Sequence, residues 1–229
     1  MTDSYVFDPP PVTSLPIVGR SERFPVHRIY CVGRNYAEHA REMGHDPDRD
    51  PPFFFQKNPD CLTTDGVFPY PSATEDVHFE IEMVAALKSG GTDITEAAAM
   101  DHVFGYGVAL DMTRRDLQGV AKKMGRPWEV GKAFEKSAPC TALAEADQVG
   151  LMETGGISLD VNGERRQTGD LNQMIWSLRE QIAFLSGLFQ LRSGDLILTG
   201  TPAGVGSVQR GDTLVGRVDG LETLNVTVR

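Results

Sequence analysis

Two short apolar stretches carry the acids most suggestive of chemistry. Glu80 and Glu82 lie in His78-Phe79-Glu80-Ile81-Glu82-Met83-Val84, and Asp111 closes Tyr106-Gly107-Val108-Ala109-Leu110-Asp111. Phe79, Ile81 and Met83 alternate with His78, Glu80 and Glu82, so a strand sets the apolar set on one face and both carboxylates on the other. Two strand residues advance about 6–7 Å, close enough for both side chains to converge on one cation. Asp111 precedes the polar run Met112-Thr113-Arg114-Arg115-Asp116, a strand end, where it can complete a three-carboxylate set. An all-oxygen set suits Mg²⁺, Mn²⁺ or Ca²⁺ and not Zn²⁺, which prefers imidazole and thiolate. Taken alone, Glu-x-Glu on a strand is more often a solvated face, and a Ca²⁺ that only ties strands together is a non-catalytic alternative. The cost of burying an unpaired carboxylate at the end of an apolar strand favours a cation.

His39 and Glu42 lie three apart in a short helical pattern and share one side of it. A carboxylate bonded to one imidazole nitrogen raises the basicity of the other, as a water-activating base requires. An exposed helix salt bridge has the same spacing, and these residues alone leave both readings open. Between positions 111 and 136 the charge reverses: Arg114, Arg115, Lys122, Lys123, Arg126, Lys132 and Lys136 outnumber Asp111, Asp116, Glu129 and Glu135. Lys122 and Lys123 read as a solvated helix face. Arg115 and Lys132 read as a positive site that draws an anionic small molecule beside the metal. The segment Leu198-Thr199-Gly200-Thr201-Pro202-Ala203-Gly204-Val205-Gly206 lacks the Gly-Lys-Ser/Thr ending of a phosphate loop. It leaves either a structural turn or a bend that offers the Thr201 hydroxyl to a carboxylate. Trp128 and Trp176 read as packing residues.

The 229 residues are 40% hydrophobic, enough for one large domain with a short extension. A net charge of -10 argues against nucleic acid and anionic membrane as partners. The chain has no run of 18 apolar residues and no basic-then-apolar leader, so a soluble, unprocessed protein is expected. Cys31, Cys61 and Cys140 stand singly without CxxC spacing and read as reduced core thiols of a cytoplasmic protein.

Residues 1–24 contain four prolines and no periodicity, and read as an arm before a domain spanning 25–229. Strand patterns are expected at 27–33, 157–161, 195–198, 213–215 and 224–228, with Asn162-Gly163 as a hairpin turn. Helices are expected at 35–42, 95–100 and 115–124, with the longest at 171–188. The charged, proline-bearing stretch 45–52 is a candidate lid. The pattern is α+β, predominantly β, with an antiparallel sandwich- or barrel-like core.

Five motifs in order resemble the fumarylacetoacetate hydrolase family: Cys31-Val32-Gly33-Arg34-Asn35-Tyr36-Ala37-Glu38-His39, His78 to Glu82, Ala109 to Asp116, Gly131-Lys132-Ala133-Phe134, and Leu198 to Gly206. The resemblance implies a mixed β-sandwich roll of the family's C-terminal-domain type, usually homodimeric. It implies Mg²⁺ or Mn²⁺ on Glu80, Glu82 and Asp111, a His39–Glu42 dyad on a lid segment, and Lys132 as the oxyanion partner. Arg115, Gln118 and Thr201 would hold an α-keto acid carboxylate. The implied reaction is cleavage of a 2,4-diketo acid. Residues 5–16 and Pro51-Pro52-Phe53-Phe54-Phe55 are similar to the branch that acts on fumarylpyruvate in gentisate-type aromatic catabolism. The family also includes acylpyruvases, oxaloacetate decarboxylases or tautomerases, and dienoic keto acid isomerases or hydratases. Arg34 and Arg41 are candidates for a distal substrate carboxylate.

Overall fold

The computed structural model describes residues 4–42 and 50–229, with the side chains of 40–42 outside the description. A six-stranded sheet forms its centre, in the order Ala144–Glu145, Val103–Leu110, Ile81–Leu87, Leu196–Leu198, Ile29–Gly33, Phe53–Lys57. Only Leu196–Leu198 and Ile29–Gly33 pair in parallel there. A five-stranded sheet runs Glu164–Asp170, Gly156–Val161, Thr213–Val218, Leu224–Val228, Val67–Phe68. Its hairpin turns at Asn162-Gly163, where φ values of 51° and 83° meet the demand of a tight turn for two left-handed residues.

All seven residues of Ile81–Leu87 are buried, because both faces of the six-stranded sheet are covered. Ile81, Met83, Ala85 and Leu87 join the core shared with Ile157, Leu159, Leu214 and Val226 of the second sheet. Val84 and Ala86 face the other way, among Leu15, Ile17, Phe24, Cys31, Cys140 and Leu143. Leu15 and Phe24 come from the paired strands Ser14–Pro16 and Arg23–Pro25. The result is a β-rich α+β fold of mixed, mostly antiparallel sheets.

Three expected helices form as Ala37–Glu42, Glu96–Ala99 and Arg115–Lys123. The fourth, expected unbroken over 171–188, is divided into a short 3₁₀ turn, Leu171–Gln173, and a helix, Leu178–Leu188. Asn35 breaks it. Its carbonyl accepts from Ile175 N–H at 2.7 Å, while its side chain accepts from Trp176 N–H and donates to Trp176 O. Backbone groups that a continuous helix would pair internally are thus held by residue 35. Ser177 and Glu180 restart the helix with a capping box, a signal present in the sequence as Ser-x-x-Glu. Among the described residues no helix is long and apolar enough to cross a membrane.

Candidate metal site and active-site cleft

The three expected carboxylates meet. One oxygen from each of Glu80, Glu82 and Asp111 lies within 4.8 Å of the others, and all three residues are buried. Glu80 sits at the bend between the strands Val77–Phe79 and Ile81–Leu87, Glu82 inside the latter, and Asp111 directly after Val103–Leu110. Pairing of Ile81 with Leu110 brings the two segments into register, and Asp111 N–H bonds Glu80 O at 2.8 Å. The solvated-face alternative fails because Glu80 and Glu82 are only 6% and 2% exposed.

Three cations surround this cluster. Lys132 donates to Glu80 Oε2 at 2.8 Å, Asp111 Oδ2 at 2.6 Å and Thr113 Oγ1 at 2.7 Å, using all three ammonium protons. Arg115 donates to Glu80 Oε1 at 2.5 Å and to Gln118 Oε1 at 2.7 Å. Lys57, wholly buried, donates to Met112 O, Lys132 O and Ser137 Oγ. It stands 2.8 Å from Asp111 Oδ1, but off the hydrogen-bonding direction, so that oxygen has charge beside it and no hydrogen bond.

Burial works against ionisation of Glu80, yet Lys132 and Arg115 outweigh it and hold its pKa below the usual carboxylate range. Glu82 goes the other way: burial, then the charges of Asp111 and Glu80, push it well above. Burial opposes the Lys132 charge too, but Asp111 and Glu80 hold its pKa above the ordinary value. The set fits a hard divalent cation. It offers three converging carboxylates, one orphaned oxygen on Asp111, and one acid, Glu82, whose charge the protein itself under-compensates.

His39, Glu80, Glu82, Arg115, Gln118, Lys132 and Thr201 all line one open cleft. Arg34 lines it as well. The His39–Glu42 contact involves a side chain outside the described residues, as does that of Arg41, and residues 45–49 of the charged loop are outside them altogether. His39 itself is 5% exposed, so the surface salt-bridge alternative does not describe it.

The glycine bend reaches the site through Gly200, whose N–H donates to Glu82 Oε2 at 2.8 Å. A side chain there would collide with Asn35 Cβ at 2.6 Å, and its φ of +99° also favours glycine. The next residue, Thr201, receives a hydrogen bond from Gln167 Nε2 at 2.8 Å.

Two expectations need correction. Lys122 is not part of a solvated helix face: it lines the cleft with its ammonium 5.0 Å from the Trp128 ring centre. Trp128 packs edge-on to Phe53 at 5.3 Å, but it also lines the cleft. Burial, then Arg115 and Arg34, lower the Lys122 pKa to about 8. Sequence reasoning also missed Lys57 and Gln167. Lys57 had a signal, since Phe53, Phe55 and Lys57 alternate onto one face of their strand. Gln167 lies in Glu-Arg-Arg-Gln-Thr-Gly-Asp, a stretch with no apolar contrast to mark the buried position.

Burial raises the pKa of all three thiols, that of Cys140 to about 12, and none is in a disulfide. They are unreactive core groups.

Comparison with known proteins fits this geometry. The fumarylacetoacetate (FAA) hydrolase C-terminal family matches residues 28–229. A fumarylpyruvate hydrolase of Ralstonia sp. is 42% identical over 189 residues, 81% of this chain and 98% of its own length. An oxaloacetate tautomerase of Escherichia coli (strain K12) is 40% identical over 198 residues, covering 86% of this chain and 90% of its own. The crystal structure of fumarylpyruvate hydrolase from Pseudomonas aeruginosa in complex with Mn²⁺ and pyruvate superimposes with a TM-score of 0.96 at 52% identity, over 98% of this chain and 99% of that one. With the family match covering nearly the whole chain and the acid cluster formed as its motifs imply, this protein belongs to the fumarylacetoacetate hydrolase family.

Proposed function

We propose that the protein hydrolyses the carbon–carbon bond of a 2,4-diketo acid, fumarylpyruvate in first place, to fumarate and pyruvate. The observation that carries this is the convergence of Glu80, Glu82 and Asp111 in a cleft also lined by His39, Arg115 and Lys132. The similarity to fumarylpyruvate hydrolases, one of them solved with Mn²⁺ and pyruvate, supports the substrate. A cation that served only to tie strands together would need neither an open cleft nor the buried histidine and lysine that line it.

In this reading Glu80, Glu82 and Asp111 would hold Mg²⁺ or Mn²⁺, which would supply positive charge beside the keto acid end of the substrate. Arg115 already spends a proton on Gln118 Oε1, so the Gln118 amide turns its own N–H groups outward to the substrate carboxylate, together with the Thr201 hydroxyl. His39, with Glu42 as its orienting partner, takes a proton from water as the oxygen attacks C4. The C3–C4 bond then breaks with its electron pair moving toward the 2-oxo oxygen, where the Lys132 ammonium offsets the developing charge. Return of the proton from His39 to C3 gives pyruvate, and the other half becomes a carboxylate by releasing the second proton of the water to solvent.

Oxaloacetate tautomerisation or decarboxylation is the second reading, favoured by the relative 40% identical to this chain. Both start from an α-keto acid end held at the same cluster, on different substrates, and differ in which bond breaks. We further propose that residues 25–229 form the catalytic domain behind the arm of residues 1–24. A homodimer in the cytoplasm completes the reading. Exposed Val120, Met124 and Val130 support the dimer, and three unpaired buried thiols suit a reducing compartment. The test is a Mg²⁺-supplemented panel of fumarylpyruvate, acetylpyruvate, oxaloacetate and a dienoic keto acid with product identification. Fumarate and pyruvate should form with the highest kcat/KM, and preferential turnover of oxaloacetate would replace the first reading by the second.

A further inference from the structure

One wall of the cleft is aromatic and directional. On the strand Phe53–Lys57 alternate residues share a face, and each meets a cation or its acid: Lys57 beside Asp111, Phe55 under Lys132 Nζ at 5.0 Å, and Phe53 under the Arg34 guanidinium at 5.2 Å. Trp128 bridges Phe55 and Phe53, with ring centres at 5.7 and 5.3 Å, and carries Lys122 over its own ring at 5.0 Å. The wall therefore starts at the carboxylate cluster and ends, one strand repeat or about 6–7 Å beyond Phe55, at Arg34.

The cations at its two ends differ in how their charge is met. Lys132 and Arg115 bond Glu80 and Asp111. The side chains of Arg34 and Lys122 have neither a hydrogen bond nor an ion pair among the described residues, and Arg34 Nε is buried without a hydrogen-bonding partner. Among the described residues Asp50 is the carboxylate whose charge reaches Arg34, and it forms no ion pair with it. Two half-buried positive groups side by side are costly unless an anion joins them. The lowered pKa of Lys122, set by burial and then by Arg115 and Arg34, is consistent with a site short of negative charge.

Resting on the keto-acid reading of the cleft, we propose that Arg34 and Lys122 form a clamp for a second carboxylate, which selects α-keto acids bearing an acid at both ends. The α-keto acid end lies at the carboxylate cluster, the flat body of the substrate runs along Phe55, Trp128 and Phe53, and the distal carboxylate bridges the guanidinium and the ammonium. Charge-assisted bonds to such a pair discriminate against an uncharged end by about 10-fold or more.

Calorimetric titration of Mg²⁺-loaded protein with 2-oxopimelate and with 2-oxoheptanoate tests the clamp. The two probes match in chain length and differ only in the distal carboxylate, and neither has the 4-oxo group that cleavage needs. Wild-type protein should bind 2-oxopimelate at least about 10-fold more tightly, Lys122→Met and Arg34→Gln should each reduce that ratio several-fold, and Lys122→Arg should restore it. Equal affinities in the wild type, or a ratio unmoved by both substitutions, would overturn the clamp. A preserved ratio in wild-type protein that cleaves no diketo acid would leave the clamp standing and remove the hydrolase reading instead.

Discussion

The Gln167 side chain fixes the direction of the Thr201 hydroxyl. Gln167 Oε1 accepts from Ile81 N–H at 3.0 Å, and its Nε2 donates to Pro202 O at 2.7 Å and to Thr201 Oγ1 at 2.8 Å. Ile81 N–H can only donate and Pro202 O can only accept, so the amide has one orientation. Thr201 is thereby made an acceptor from inside the protein, and its proton is left to donate into the cleft. The same side chain ties the second sheet to Ile81, between Glu80 and Glu82.

Gln167→Glu reverses the bond to Thr201 and loses the one to Pro202 O, because an ionised carboxylate cannot donate. We expect KM for the diketo acid to rise about 10-fold, in line with loss of one hydrogen bond to a charged group. Thr201→Val should raise KM similarly, and Thr201→Ser should restore it. An unchanged KM in Gln167→Glu would remove the positioning role.

Glu82 gives a prediction on the metal that needs no substrate. In chelator, Glu82→Gln should be more stable than wild type, because it removes one of three crowded buried charges while its carbonyl can still accept from Gly200 N–H. Added Mg²⁺ or Mn²⁺ should raise Tm of the wild type in proportion to the logarithm of its concentration and leave the variant unmoved. A metal-induced shift of equal size in both would remove Glu82 from the ligand set.

Lys57 is expected to be structural in its effect and functional in its consequence. Lys57→Met removes one of the two buried lysines beside Asp111, leaving Lys132, and strips the donor from Met112 O, while Lys132 O keeps Ser137 Oγ. The expected loss is about 1–3 kcal/mol, measured by urea unfolding. A loss under about 1 kcal/mol would mean that these groups find other partners.

Lys122 carries a pH signature of opposite sign. Its folded pKa of about 8 lies below the ordinary lysine value of 10.5, so the unfolded chain binds more protons between these limits. Its charge therefore costs stability in full below pH 8, and the cost fades as pH rises toward 10.5. Lys122→Met should raise Tm in chelator at pH 7 by about 1–2 °C after allowance for solvent screening, with the gain shrinking by pH 10. A variant less stable than wild type at pH 7 would contradict this.

Much of the site was legible because its chemistry is written in local periodicity. The alternation from His78 to Met83 and the strand end at Asp111 placed three acids together, and antiparallel pairing did the rest. What stayed hidden depends on contacts distant in sequence. The break in the helix expected over 171–188 is imposed by Asn35, 140 or more positions away, although the Ser177–Glu180 capping box marked its restart. Gln167 is buried by the approach of one sheet to another, in a strand whose own residues are nearly all polar. Lys122 and Lys123 look alike in the sequence, and only the position of Trp128 separates the cleft residue from the solvated one.

Metal-dependent hydrolysis of the C3–C4 bond requires pyruvate and fumarate to appear together from fumarylpyruvate, and one assay that quantifies both decides it. Protein stripped with chelator, reloaded with Mg²⁺, and carrying His39→Ala should be compared side by side. The reloaded wild type should form both products in equal amounts, the stripped protein neither, and His39→Ala should be slower in kcat by about 10²–10⁴. Equal product formation in excess chelator, or substrate loss without matching pyruvate and fumarate, would contradict the account.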